Sequence, residues 1–135
     1  MEFINKFPSK LELMPDVIED LVQKLKGDSV SGDNIFDIRL CLEEVLINAI
    51  KHGNKFNPEL FVEVAATVEH DKLIMTVKDE GQGFDFENVA DPTQKENLEK
   101  TSGRGVFLVK KLMDEVEFLD NGSKIRMVKI LSSQE

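Results

Sequence analysis

This sequence has few of the features that fix a fold or a function from outside a core. It carries one cysteine, Cys41, in 135 residues. With no second thiol in the chain, an intrachain disulfide framework and a cysteine-rich metal site are both excluded. Basic charge is scarce as well, with 17 Lys and Arg against 26 Asp and Glu and a net charge of -9. Nucleic-acid affinity rests mainly on Lys and Arg displacing counterions from phosphates, so direct binding of DNA or RNA is disfavoured. No stretch approaches the roughly 20 apolar residues of a membrane span. The opening MEFINKFPSKLELMPD has neither an uninterrupted apolar run nor a cleavage-site pattern. The expectation is a cytoplasmic protein that stays off membranes. The familiar phosphate and calcium motifs are missing too. GxxxxGK[ST] occurs nowhere, Gly81-Gln82-Gly83 lacks the third glycine of a dinucleotide fingerprint, and Gly81 stands where a calcium loop needs a ligand.

What is there suits one ordinary domain, with 41% apolar and 32% charged residues and length enough for a single real core. Phe3 and Phe7 flanking Ile4 permit an opening strand. Ser9 to Glu12 and Pro15-Asp16 then lead into an amphipathic helix, whose apolar positions Val17, Ile18, Leu21, Val22 and Leu25 keep helical spacing until Gly27. A second helix is predicted from near Asp33 to Gly53. Alternating apolar residues from Leu60 to Val68 and from Leu73 to Val77, joined by His70-Asp71, predict an antiparallel hairpin that puts Asp79 on the side of Leu73, Met75 and Val77. The segment 85–102 is polar and without sustained period. A helix follows from Gly105, then two strands around Asn121-Gly122. The expected fold class is an α+β two-layer sandwich: a mixed, mostly antiparallel sheet with helices on one face.

Three stretches carry chemistry. In CLEEVLINAIKHGN, Ile35, Ile38, Leu42, Leu46 and Ala49 fall on one helix face, while Glu44, Asn48 and Lys51 fall on another. Glu44 and Asn48 sit one turn apart, as a solvated face or a working pair would. In KDEGQGFDF, a carboxylate at a strand end is followed by glycines that let bare backbone approach a flat ligand; a plain glycine turn is the alternative. In TSGRGVFLVKKL, Gly103 and Gly105 precede a helix whose N-terminal amides and dipole can face an anion, with Arg104 adding charge; a capped loop would look the same. The order of the three is more specific than any one.

That ordered pattern resembles the ATP-binding domain shared by gyrase B, histidine kinases, heat-shock chaperone ATPases and mismatch-repair ATPases. The short chain is most similar to the anti-sigma factor serine/threonine kinases of the sporulation and general-stress type. The resemblance covers about residues 10–131, with EEVLINAIKHGN as the N box, DEGQGF as the first glycine box and GRGVFLVKKLMDEV as the second. It implies the ATP-binding fold of that superfamily across residues 1–135, with an ATP lid over about 85–104. It implies Glu44 as general base, with Glu43 as a fallback pointing about 100° away on the helix. Asn48 would hold magnesium and Asp79 would accept the adenine amino hydrogen. Gly81 and Gly83 would clear the base, and Gly103, Arg104 and Gly105 would lie along the phosphates. Lys51, His52, Phe84, Val106 and Ser123 fall at the implied nucleotide pocket. His52 lacks the separate phosphoacceptor helix of a histidine kinase. Gly122-Ser123-Lys124 stands where the family commonly has a Gly-Thr-Thr-like segment, which leaves Ser123 alone to supply a hydroxyl.

The implied activity is a Mg-ATP-dependent protein serine kinase that sequesters a sigma factor and phosphorylates an anti-sigma-antagonist, as one copy or a homodimer. A non-catalytic, nucleotide-dependent switch in another pathway is the alternative. A detached histidine-kinase catalytic domain is disfavoured, because no dimerisation helix pair is seen.

Overall fold

The computed structural model describes residues 1–81 and 101–131, the side chains of 101–104 excepted. Five strands and three helices follow in the order β1 (Glu2–Pro8), α1 (Met14–Gly27), α2 (Gly32–Asn48), β2 (Phe61–Glu69), β3 (Lys72–Lys78), α3 (Thr101–Leu112), β4 (Glu115–Leu119) and β5 (Lys124–Ile130). The strands form one sheet in the order β1-β2-β3-β5-β4. Each neighbouring pair is antiparallel, so no parallel pair occurs among the described residues. This is the α+β sandwich expected from the pattern of elements.

Alternation along the strands builds the layer. Phe3, Ala66, Met75, Met127 and Val116 are register partners across the sheet, and one step along, Val64, Val77, Ile125 and Phe118 form a second row. These rows face the helices. They meet Leu21 and Leu25 of α1 and Ile38, Leu42 and Leu46 of α2, all essentially inaccessible to water. The opposite side chains, such as Ile4 at 70% exposure, point away from the helices. The β2–β3 hairpin turns at His70 and Asp71, both with positive φ (50° and 63°), which matches the twist of the flanking strands.

Two helix boundaries differ from the sequence reading. The helix read as running to Gly53 is α-helical only to Asn48 and continues as a π turn over Ala49–Gly53. The amide of Asn54 donates to the carbonyl of Ala49, five residues back, at 2.8 Å. Such single π turns widen a helix and occur often at functional sites. Apolar spacing cannot reveal one, because Ala49 and Ile50 stay buried in either geometry. α2 itself begins at Gly32, where Ser31 accepts a hydrogen bond from the Asn34 amide at 3.2 Å. α3 begins at Thr101, so Gly103 and Gly105 lie within its first turns and not ahead of it.

One basic residue is buried among the described residues. Lys129 of β5 is only 8% exposed. Its ammonium donates to the carbonyl of Leu112, the last residue of α3, at 2.9 Å and lies 3.4 Å from the Asp37 carboxylate on α2. It therefore ties α3 and α2 to the sheet. Lys129→Met leaves a buried carbonyl unpaired, and urea unfolding is expected to show a loss of about 1–3 kcal/mol. Parental stability would mean that the tie contributes nothing.

Candidate functional site

The end of β3 shows why Asp79 is held where it is. Period two carries it to the core side of the strand, after Leu73, Met75 and Val77, and leaves it 6% exposed. Its amide continues the β3–β5 ladder by donating to the Ser123 carbonyl at 2.8 Å. Its Oδ1 accepts from the Gly81 amide at 2.9 Å. The π turn supplies the rest of the seat. A Cβ on Gly53 would overlap the Asp79 carboxylate, and one on Gly81 would overlap the Gly53 carbonyl. Gly53, Asp79 and Gly81 are thus packed backbone against carboxylate, with no room for a side chain on either glycine. Burial pushes the Asp79 carboxyl up to about 6, and the Gly81 amide only partly opposes that shift.

Asp79 lines a pocket walled by α2, α3 and the strands β3, β4 and β5. Val45, Asn48 and Ala49 line it from α2 and its π continuation, Val77 and Ile125 from the sheet, and Val106 and Val109 from α3. Phe118, Gly122 and Ser123 complete it from the last hairpin. The walls are apolar and the polar groups few, which is how small-molecule sites are generally built. Ser123 spends its hydroxyl on the Asp120 carbonyl, at 2.8 Å.

Beside this pocket α2 and α3 meet. A Cβ on Gly105 would fall 2.8 Å from the Glu44 Oε2 and 3.1 Å from the Asn48 Nδ2, so a side chain there would push both polar tips aside. Glu44 and Asn48 are half-buried there, not solvated. The Asn48 Oδ1 is buried and accepts no hydrogen bond among the described residues. A buried carbonyl oxygen without a donor is costly and calls for a partner from outside the described residues.

The placement of the sequence candidates is therefore uneven. Asn48, Asp79, Val106 and Ser123 line one pocket, with Gly81 on Asp79 and Gly105 on Glu44 and Asn48. Lys51 is exposed and His52 half-buried on the π turn, and neither lines the pocket. Gly83, Phe84 and almost all of the 85–104 lid lie outside the described residues, as does the side chain of Arg104. Glu43, the fallback base, is exposed and lines a separate groove between α1 and α2. The sequence reading missed Gly53 and Asn54 as parts of the site. Their only signal was the HGN that closes the helical stretch, and it reads equally well as a helix stop.

Residues 7–129 match the histidine kinase-like ATPase domain, and the chain belongs to that family. The anti-sigma F factor of Bacillus cytotoxicus is 35% identical over 107 residues, covering 75% of this chain and 73% of that protein. The serine-protein kinase RsbW of Staphylococcus epidermidis is 29% identical over 113 residues, covering 78% of this chain and 71% of its own length. The crystal structure of the RsbU and RsbW domains of Rv1364c from Mycobacterium tuberculosis superposes with a TM-score of 0.70 at 17% identity, over 99% of this chain and 33% of that one. The fold is shared with that structure. Fold and relatives together define an ATP-dependent protein serine kinase on the anti-sigma branch of the family.

Two predictions come from the Asp79 seat. Gly53→Ala must displace the carboxylate, and calorimetry is expected to show ATP binding at least about tenfold weaker in a protein that still folds, the scale of one misplaced buried hydrogen bond; parental affinity would remove the seat from the site. The pH dependence is set by the upward shift. Between about 4 and about 6 the folded state holds more proton at Asp79 than the unfolded chain, so Asp79 ionises at the expense of stability as pH rises through that window. A ligand that donates to the carboxylate needs it ionised. ATP affinity is therefore expected to fall by up to about tenfold per pH unit below 6 relative to Asp79→Asn, measured by calorimetry from pH 5 to 7.5. Parallel profiles for the two proteins would contradict this.

Proposed function

We propose that this protein is a Mg-ATP-dependent anti-sigma factor that phosphorylates a serine of an anti-sigma-antagonist protein and holds a sigma factor. The observation that carries the reading is one pocket lined by a buried carboxylate and by Asn48, whose oxygen has no partner among the described residues and which lies one turn from Glu44. The relatives named as serine-protein kinase and anti-sigma F factor support the same reading.

Each residue's part follows from its chemistry. Asp79 is an acceptor aimed into an apolar slot, so it reads the exocyclic amino group of adenine and disfavours a base with a carbonyl there. Val45, Ala49, Val77 and Ile125 supply flat apolar contact for the base. With the base so placed, the triphosphate points towards the Glu44–Asn48 stripe and the first turn of α3. Asn48 suits magnesium, because its oxygen is buried and lacks a donor among the described residues. Magnesium takes one or two protein oxygens plus phosphate oxygens and water, and so needs no larger cluster of protein ligands. When bound, the ion neutralises charge developing on the transferred phosphoryl group.

Glu44 is the group positioned to take the proton of the attacking serine hydroxyl. The serine oxygen bonds to the γ-phosphorus, the bond from that phosphorus to the bridging oxygen breaks, and ADP leaves with that electron pair. Gly105 lies against Glu44 in this structure, so a shift of this part of α3 would widen a hydroxyl's approach to the carboxylate. The 85–104 segment is proposed as the lid that makes this movement. The net charge of -9 suits a partner with basic faces. Nucleotide state selects between the sigma factor and the antagonist if the ATP and ADP forms bind them with different affinities.

The test is Glu44→Gln. Transfer of labelled γ-phosphate to an antagonist protein is expected to fall about 100- to 10,000-fold while ATP affinity stays within a few-fold, because a general base acts only in the chemical step. Glu43→Gln should leave transfer near the parental rate. Parental transfer by Glu44→Gln would remove the mechanism, and no transfer by the parent protein would favour a non-catalytic switch.

A further inference from the structure

The geometry points to Asn54 as the residue that positions Asp79, and hence as the determinant of adenine over guanine; this rests on the reading of Asp79 as the base-recognition carboxylate. Asn54 is 1% exposed and its amide is fully engaged. Its Nδ2 donates to the Ser9 Oγ at 2.6 Å and to the Phe61 carbonyl at 3.0 Å. Its Oδ1 accepts from the Glu80 amide at 2.8 Å. Three distant segments are thereby clamped to one side chain: the residue after β1, the start of β2, and the residue directly after Asp79.

The Glu80 contact matters for function. Asp79 has one main-chain tether on its own amide, to Ser123, and the Glu80 amide bond is the next tether along the chain. Between them the Asp79 Cα is fixed from both sides. The carboxylate then rests on Gly53, the residue before Asn54, and the backbone at Gly81 rests on the Gly53 carbonyl. Asn54 itself is placed by the π turn, through its amide bond to the Ala49 carbonyl at 2.8 Å. The extra residue in that turn is what delivers the asparagine under Glu80. A buried amide with both its donor and acceptor ends satisfied is a rigid spacer. A hydrogen bond that discriminates two purines depends on sub-ångström placement of its acceptor, so loosening the spacer costs selectivity before it costs apolar binding of the base.

Ser9 provides the control. It touches the same amide at its nitrogen end, and its hydroxyl donates to the Leu60 carbonyl at 2.9 Å, whereas Glu80 is held by the oxygen end. Ser9→Ala loosens the network without removing the tether on Asp79.

The experiment measures ATP and GTP dissociation constants by calorimetry, with thermal melts, for the parent, Asn54→Ala, Ser9→Ala and Asp79→Asn. The expected result is that Asn54→Ala lowers the ATP-over-GTP preference at least tenfold, while Ser9→Ala keeps it within twofold despite a lower melting temperature. An unchanged preference in Asn54→Ala, or an equal loss in both variants, overturns the proposal and leaves Asn54 a purely structural residue. Hydrogen exchange on the parent protein gives a second reading that needs no variant to fold. ATP is expected to slow exchange of the Glu80 amide at least tenfold while leaving the Asn57 amide, bonded to the Asn54 carbonyl, unchanged; bound ATP with no change at Glu80 also overturns it. If the parent binds ATP but Asp79→Asn keeps its preference, the reading of Asp79 fails and the proposal with it.

Discussion

A carboxylate held in a nearly dry seat is the constraint on which the rest of this molecule turns. Asp79 is 6% exposed and packed against glycine backbone, and its burial resists ionisation. Such a group is costly unless a ligand completes its hydrogen bonding. The chain keeps it in place with main-chain contacts from Ser123, Gly81 and Gly53 and with the Asn54 amide one residue further on. Every one of those contacts requires an element in a particular position. β3 must pair with β5 in the observed register, and the helix before Gly53 must widen by one residue.

The same logic sets the helical side of the pocket. α2 carries an apolar face that packs on the sheet and a polar stripe that faces α3. Gly105 allows α3 to close on that stripe, and Lys129 ties the far ends of α2 and α3 to β5. The site is therefore a seam between α3 and the rest of the domain, with the Asp79 carboxylate on the sheet side and Glu44 and Asn48 on α2. α3 meets α2 through Gly105, with Val106 and Val109 buried behind that contact.

Much of this was legible in the sequence, for reasons that can be named. The strands around Val64 and Met75 and the helix bearing Leu21 have clean periods because each has one face in the core. Asp79 could be placed from period two alone. The ordered glycines and the Glu44–Asn48 spacing carried the family, which the match over residues 7–129 bears out. What stayed hidden has a common physical cause. The π turn leaves Ala49 and Ile50 buried just as an α turn would, so periodicity could not distinguish them. Asn54 works through bonds to Ser9 and Glu80, 45 and 26 residues away in sequence, and no local pattern encodes a partner at that distance. The start of α3 was misplaced because glycine normally ends or precedes a helix, whereas Gly105 is tolerated within one by its contact with Glu44.

The central claim, that one pocket joins Asp79 to the Asn48 stripe and binds Mg-ATP, is tested most directly by nuclear magnetic resonance of the labelled protein during a Mg-ATP titration. The account predicts saturable shifts of the Gly81 backbone amide and the Asn48 side-chain amide with the same dissociation constant, and no comparable shift along the exposed face of α1. Saturable shifts confined to the groove of Leu11, Ile18 and Glu43, with Gly81 and Asn48 unmoved, would contradict it.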